Sequence, residues 1–329
     1  RAHNKVLLSF RPTPPAAIFC AICTASPAVS TYRWPRAALY CVHDQLMTAR
    51  VASLVLFVLF LSQGESLLVP YAQLATPAEG SITRGGMRCI VTGGSSGIGE
   101  AICKELGKRG CQVFITGRNE EKLSDVQKAV VESGGRAAGG VGDVRNEADV
   151  KRLFREASTF FGGDSPGCDL LVASAGIGRF GPIASLSEED FDATFATNVK
   201  GVWLWAREVV PKMKEAGKGQ VIFVSSVAGL RKFPGCSVYG GSKWAVEGIA
   251  GSLREECKGT GVKIASLAPG SVATPWWMET SRGGKPEAAS TEQLAKFLQP
   301  QDVASAAMTI VDQASSSNIE SLVLDPAGA

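Results

Sequence analysis

Histidine is almost absent from this sequence of 329 residues, and its scarcity excludes several kinds of site. The only two histidines, His3 and His43, lie near the amino terminus. The rest of the chain therefore has no Ser-His-Asp triad and no histidine-bound zinc. An excess of one charge is missing too. From Met87 onward the chain carries 27 basic and 28 acidic residues, so we expect no nucleic-acid partner.

Long apolar runs and paired cysteines are also lacking. The apolar run at 51–61 has only 11 residues, whereas a membrane-spanning helix needs about 20. We therefore expect no stable membrane span in the main body of the chain. The nine cysteines are odd in number and scattered. Cys20 and Cys23 form a CxxC pair, but no second pair follows. This usage favours reduced thiols in a reducing compartment and predicts no metal site.

Residues 1–86 differ from the rest of the chain in composition and in hydropathy pattern. Residues 1–43 contain no Asp or Glu and are rich in Ala, Ser, Thr and Pro, as organelle presequences are. Met47 and Arg50 then precede the apolar run, which has the length of a signal-peptide core. We interpret 1–86 as a targeting or disordered leader with a signal-type segment at 47–66. The alternative is a disordered extension with an accidental apolar run. We expect the body itself in the cytoplasm or a plastid-type organelle.

From Met87 to the end, short apolar runs alternate with helical patterns. Strands are predicted at 88–92, 112–116, 137–141, 170–174, 221–224, 264–267 and 322–324. Regular strand–helix alternation requires crossover connections, and these give a parallel sheet. The sequence therefore predicts one doubly wound α/β domain of the Rossmann type over 87–329, with helices on both faces of the sheet.

A glycine-rich turn follows the first predicted strand directly. It reads Thr-Gly-Gly-Ser-Ser-Gly-Ile-Gly over 92–99 and opens a helix. Gly93 allows a tight turn, Gly97 lets the backbone approach a pyrophosphate, and Gly99 lets the helix pack on the strand. The helix N-terminus then attracts the phosphates. The predicted dinucleotide contacts here are Gly93, Ser95, Ser96, Gly97, Ile98 and Gly99.

The ends of the next two strands indicate which dinucleotide is bound. An NAD enzyme commonly places Asp or Glu after the second strand, where this chain has Gly117 and Arg118. A guanidinium suits a 2′-phosphate, so the sequence favours NADP(H). The alternative is that Arg118 is a solvated helix-start residue. After the third strand come Asp143 and Val144. Asp143 can accept from the adenine amino group, or it can be an ordinary turn residue.

A tyrosine and a lysine four residues apart open a later amphipathic helix. Tyr239 and Lys243 share one helix face. The pKa of a free phenol is about 10, and a nearby ammonium lowers it toward the range useful for acid/base catalysis. Tyr and Lys at this spacing are also common on ordinary helices, so the pair alone is weak evidence for an acid/base site.

Several motifs in a fixed order make the interpretation specific. The glycine turn, Ser226 thirteen residues before Tyr239, and the YxxxK spacing resemble the short-chain dehydrogenase/reductase family. Asn198, Pro269-Gly270 and Thr274 lie at the family's other landmarks. The resemblance covers 87–329. Where the family often has Asn-Asn-Ala-Gly after the fourth strand, this chain has Ala-Ser-Ala-Gly at 173–176.

The resemblance implies a role for each matching residue. Tyr239 exchanges a proton with the substrate oxygen, Ser226 hydrogen-bonds that oxygen, and Lys243 tunes Tyr239 and holds the nicotinamide ribose. Asn198 positions a water behind Lys243. Ser225 is a rival for the serine role, and Asn198 alone could simply cap or kink a helix. The cofactor contacts implied on the nicotinamide side are Ala175, Gly176, Pro269, Gly270 and Thr274.

The sequence thus predicts an NADP(H)-dependent oxidoreductase acting on the carbonyl or secondary alcohol of a small apolar substrate. The alternative hypotheses are an NADP(H)-sensing binding protein, a 3-oxoacyl reductase, and an isomerase or dehydratase on the same scaffold. Segment 275–290 is predicted to form a substrate lid, or simply to pack on the body. Side chains expected near the substrate are Phe180, Phe233, Cys236, Trp276 and Trp277. The resemblance also implies a homo-oligomer.

Overall fold

A computed structural model describes residues 86–163, 167–277 and 290–327. The leader predicted for 1–86 lies outside the described residues, except for Gly86. Most of the predicted lid, 278–289, lies outside them as well. In the described part of the chain, no helix combines the length and the apolar character that crossing a bilayer requires.

Seven parallel strands form one sheet in the order β3-β2-β1-β4-β5-β6-β7. The central strands β1, β4 and β5 are buried along most of their length, which explains their continuous apolar sequences. The predicted doubly wound fold is confirmed. The strands are β1 (Arg88–Thr92), β2 (Gln112–Gly117), β3 (Arg136–Val141), β4 (Leu170–Ala173), β5 (Gly219–Val224), β6 (Val262–Pro269) and β7 (Ser321–Leu324).

Helices cover both faces of the sheet. One face carries α1, α2 and α8, and the other carries α3, α5 and α6. The apolar side chains of each helix layer join those of the facing sheet side in a separate core cluster. The helices in the described ranges are α1 (Gly97–Lys108), α2 (Glu120–Glu132), α3 (Glu147–Phe160), α4 (Glu188–Phe195), α5 (Gly201–Ala216), α6 (Ser237–Glu256), α7 (Thr291–Ala295) and α8 (Pro300–Val311).

The chain reverses its direction across the sheet between β1 and β4. Strands β2 and β3 lie on one side of β1, whereas β4 to β7 lie on the other. The connections that leave β1 and β4 therefore diverge and open a crevice at their carboxyl ends. The fold itself selects this edge as the place for a ligand.

A buried threonine braces that crevice. Thr92, the last residue of β1, accepts hydrogen bonds at its Oγ1 from the backbone N–H groups of Ser174 and Ala175, at 3.1 and 3.2 Å. Those residues begin the loop after β4, and Ser174 stands where the family often has the second of two asparagines. The threonine hydroxyl therefore holds the β4 loop against the glycine turn.

We expect Thr92→Val to destabilise the protein because it leaves two part-buried N–H groups without their acceptor. The expected loss in the free energy of unfolding is about 1–3 kcal/mol, measured by urea denaturation. Thr116 is a matched control, since it is the register partner of Thr92 on β2 and is also 1% exposed. Its Oγ1 has no hydrogen-bond partner among the described residues. Thr116→Val should be neutral or stabilising, and equal losses in the two variants would contradict the bracing role.

Candidate active site

A cleft of about 1010 Å³ opens along the carboxyl edge of the sheet at the crevice between β1 and β4. The segments that follow β1 to β6 all contribute to its lining. Every site residue predicted from the sequence lines this cleft except Asn198, which lies behind it. The lining members of the predicted set are Gly93, Ser95, Ser96, Gly97, Ile98, Gly99, Arg118, Asp143, Val144, Ala175, Gly176, Ser226, Tyr239, Lys243, Pro269, Gly270 and Thr274.

The glycine turn is packed so closely that side chains are excluded from it. A Cβ on Gly93 would lie 2.7 Å from the Cα of Ala175, and one on Gly99 would lie 2.4 Å from the carbonyl oxygen of Gly93. Gly97 has a φ of +59°, in the left-handed region that favours glycine. The N-terminus of α1 is thereby drawn up to the cleft, with Thr274 beside Gly97 on the opposite wall. A cradle of this kind fits a pyrophosphate.

At the end of β2, Arg118 lies on the cleft wall with no acidic residue beside it in sequence. A Cβ on Gly117 would lie 2.9 Å from Ser95 Oγ, so the absence of a side chain there makes room for Ser95. Asn119 caps α2 through a 2.8 Å hydrogen bond from the Lys122 N–H to its Oδ1. The side-chain oxygen of Asn119 therefore already accepts a hydrogen bond within the fold.

Asp143, at the end of β3, is paired with a residue that the sequence analysis missed. The guanidinium of Arg145 donates to both carboxylate oxygens, and the Arg145 N–H donates to Oδ1 at 2.9 Å. Burial opposes ionisation of this carboxylate, but the Arg145 hydrogen bonds prevail and lower its pKa. Asp143 is therefore an ionised acceptor on the cleft wall, and an adenine amino group would share it with Arg145.

The serine, the phenol and the ammonium predicted to act together lie on one side of the cleft. Ser226 Oγ accepts from the Ala228 N–H at 3.2 Å and donates to the Pro269 carbonyl at 3.4 Å, and both Ser226 and Tyr239 line the cleft. Lys243 Nζ lies 5.7 Å from the centroid of the Tyr239 ring and donates to the Val224 carbonyl at 2.8 Å. The rival Ser225 has a buried Oγ that finds no partner in the described ranges.

Burial shifts the pKa values of Tyr239 and Lys243 in the directions that disfavour their charged forms. Burial raises the pKa of Tyr239 to about 12, and the nearby Ser226 hydroxyl offsets part of that rise. Burial likewise lowers the pKa of Lys243 to about 8, opposed by the charge of Glu247. The expected lowering of the tyrosine pKa by Lys243 is therefore not what this arrangement gives. The net shift is upward and burial is its largest cause, so the phenol keeps its proton at neutral pH.

Asn198 lies outside the cleft and is fully buried. Its Oδ1 accepts from the Ile177 N–H at 2.9 Å, and its Nδ2 donates to the Ile177 carbonyl at 2.7 Å and to Ser242 Oγ at 2.9 Å. It sits in a π-helical turn, Ala196–Lys200, between α4 and α5, and such turns often occur at functional sites. Asn198 therefore ties the β4 loop to α6 beside Lys243.

The substrate end of the cleft is lined by aromatic rings. Phe180 lies 5.1 Å from Tyr239 and 6.3 Å from Trp277, centroid to centroid. Trp276 meets Tyr239 edge to face at 5.7 Å. Trp277 is fixed in turn by a 2.9 Å hydrogen bond from its Nε1 to the Val272 carbonyl. Phe233 and Cys236 also line the cleft, as the sequence predicted.

Comparison with known proteins identifies the family of the chain. The family model for the short-chain dehydrogenases matches residues 88–284. The chain belongs to the short-chain dehydrogenase/reductase family. The catalytic machinery of this short-chain dehydrogenase is thus to be sought in the cleft just described.

The curated relatives include bacterial oxidoreductases. An uncharacterised oxidoreductase of Staphylococcus saprophyticus is 32% identical over 244 residues, covering 72% of this chain and 96% of that protein. One from Listeria innocua is 31% identical over 240 residues, covering 72% and 95%. The match therefore spans nearly the whole of each relative.

Solved structures of the family have the same architecture. An alcohol dehydrogenase of Thermococcus sibiricus complexed with 5-hydroxy-NADP has a TM-score of 0.65 at 26% identity, covering 74% of this chain and 98% of that one. A 3-ketoacyl-(acyl-carrier-protein) reductase of Brucella melitensis complexed with NADH has a TM-score of 0.65 at 26% identity, covering 74% and 99%. Similar proteins thus hold either nicotinamide dinucleotide.

Proposed function

We propose that this short-chain dehydrogenase is an NADP(H)-dependent oxidoreductase that interconverts a carbonyl and a secondary alcohol on a small apolar substrate. The main support is the position of the Tyr239 phenol. Tyr239 lines a cleft shared with the glycine turn and Ser226, and Lys243 Nζ lies 5.7 Å from the centroid of its ring. An NADP(H) sensor would have no need of this arrangement.

The residues of the cleft fit a dinucleotide. The α1 N-terminus with Gly93 and Gly97 would hold the pyrophosphate, and Arg118 would pair with the 2′-phosphate of NADP(H). Asp143 would accept from the adenine. Lys243 would hold the ribose next to the nicotinamide, and the pocket walls at Ala175, Gly176, Pro269, Gly270 and Thr274 would enclose that end. When bound, the nicotinamide supplies or accepts the hydride.

The chain's own residues would handle the proton. With a pKa raised to about 12, Tyr239 carries its proton at neutral pH and can donate it to the carbonyl oxygen during reduction. Ser226 would donate a hydrogen bond to the same oxygen and stabilise the charge that develops there. The ammonium of Lys243 stabilises the phenolate left behind. Asn198 would act as a positioning residue, since it fixes α6 and the β4 loop around Lys243.

The exposed surface is consistent with self-association. Trp203 on α5 and Trp244 on α6 are each 46% exposed. Pairing of two subunits through these helices would cover both indole rings. We include a homo-oligomer paired through these helices in the proposal.

Tyr239→Phe should abolish most NADPH-dependent reduction of ketones and aldehydes. Loss of the proton donor is expected to lower kcat by about 10²–10⁴-fold, measured by NADPH oxidation with a substrate panel. Ser226→Ala should lower it by about 10²–10³-fold. The neighbouring Ser225→Ala is the control and should change kcat less than twofold. Undiminished turnover in Tyr239→Phe would disprove the assigned role.

Arg118→Ala should narrow the preference for NADPH over NADH. A charged hydrogen bond to the 2′-phosphate contributes about 1.5–3 kcal/mol, so the KM for NADPH should rise about tenfold or more while that for NADH changes little. Arg155→Ala, at an exposed position of α3, serves as the control for the loss of one positive charge. Equal use of the two cofactors by the unmutated enzyme would refute the NADP assignment.

A further inference from the structure

Two of the aromatic rings at the substrate end of the cleft meet at one backbone position, Gly178. A Cβ on Gly178 would lie 2.6 Å from Cζ2 of Trp276 and 2.8 Å from Cε2 of Phe180. Both rings also contact the Tyr239 ring, at centroid distances of 5.7 and 5.1 Å. The three rings therefore border one space, and Gly178 lies where the edges of two of them meet.

The glycine at this position is explained by space and not by backbone conformation. Gly178 is not among the glycines with a positive φ, so an alanine would be compatible with its backbone. There is no room for an alanine at this position, because its methyl group would overlap the rings of Trp276 and Phe180. Neither ring could keep its place beside Tyr239 unless residue 178 had no side chain.

Ring faces and ring edges favour flat partners. Aromatic pairs gain free energy beyond their buried area when they lie offset-stacked or edge to face. A planar substituent on the substrate carbonyl can adopt these arrangements against Phe180 and Trp276, whereas a puckered ring cannot. The carboxylate side chains of the described cleft lining come only from Asp143, at the dinucleotide end. Among the described lining residues, the substrate end therefore offers an aromatic surface without carboxylates.

We propose that Phe180, Trp276 and Tyr239 form an aryl slot for planar aromatic ketones or the matching benzylic alcohols, and that Gly178 determines this specificity. The proposal rests on the oxidoreductase function proposed above and names its substrate class. Trp277, which packs on Phe180 and is anchored at Val272, supports the slot from behind.

A matched pair of ketones tests the slot. Acetophenone and cyclohexyl methyl ketone have the same carbon skeleton, but only the first has a flat ring. In Gly178→Ala, the ratio of kcat/KM for acetophenone to that for cyclohexyl methyl ketone should fall about tenfold relative to the unmutated enzyme. Gly248→Ala is the control, because a Cβ at Gly248 meets no atom within 4 Å. It should leave the ratio unchanged.

Two further measurements separate specificity from folding and from intrinsic reactivity. The inhibition constants of benzamide and cyclohexanecarboxamide, which are not reduced, should show the same change of preference in Gly178→Ala. In a double-mutant cycle, Trp276→Phe removes the closer of the two ring contacts that the new methyl would make, and the contact with Phe180 remains. Gly178→Ala should then lower the ratio of kcat/KM values less in the Trp276→Phe background than in the otherwise unmutated protein. NADPH affinity and melting temperature should stay close to those of the unmutated protein.

The outcomes distinguish the two proposals. An unmutated enzyme that reduces no carbonyl compound of the panel with NADPH or NADH would overturn the proposed function and the slot together. One that reduces other carbonyl compounds but neither of these two ketones would overturn the slot alone. Turnover of both ketones with a ratio that Gly178→Ala does not change would overturn the slot alone. A fall in the ratio that also appears in Gly248→Ala would likewise overturn it, since the effect would not depend on the three rings.

Discussion

The close approach of three backbone segments at the start of the crevice is the constraint on which the rest of the structure depends. Gly93 lies against Ala175, and Gly99 lies against the carbonyl oxygen of Gly93. These contacts bring the end of β1, the N-terminus of α1 and the β4 loop to one point, and Thr92 fixes the arrangement from below. A single methyl group at either glycine would separate them and open the cradle.

Burial of the site sets its chemistry. The same desolvation that keeps Tyr239 protonated weakens the hold of Lys243 on its own proton. The two shifts have opposite consequences as pH rises. The phenol remains an acid far above neutrality, but the ammonium that would stabilise its conjugate base is lost much earlier. The proton chemistry of the cleft is thus limited by the lysine and not by the tyrosine.

The sequence predicted those features that depend on local pattern. Strand and helix periodicity gave the doubly wound fold, and motif spacing identified the residues of the cleft. Contacts made by ordinary polar residues across the fold left no such signal. Arg145 pairs with Asp143, and Asn198 binds the backbone of Ile177, but nothing in their neighbouring sequence marks these partners. The tyrosine pKa was expected to fall because a charge four residues away is visible in sequence, whereas the opposing burial is not.

The pH dependence of ketone reduction tests the central claim that Tyr239 and Lys243 act together in a desolvated cleft. The measurement is kcat/KM for NADPH-dependent reduction from pH 6 to pH 10. Because the pKa of Lys243 is lowered to about 8, its ammonium is present below that pH and lost above it. The account predicts a plateau up to about pH 8 and then a fall approaching tenfold per pH unit. Activity that stays level to pH 10 would contradict it.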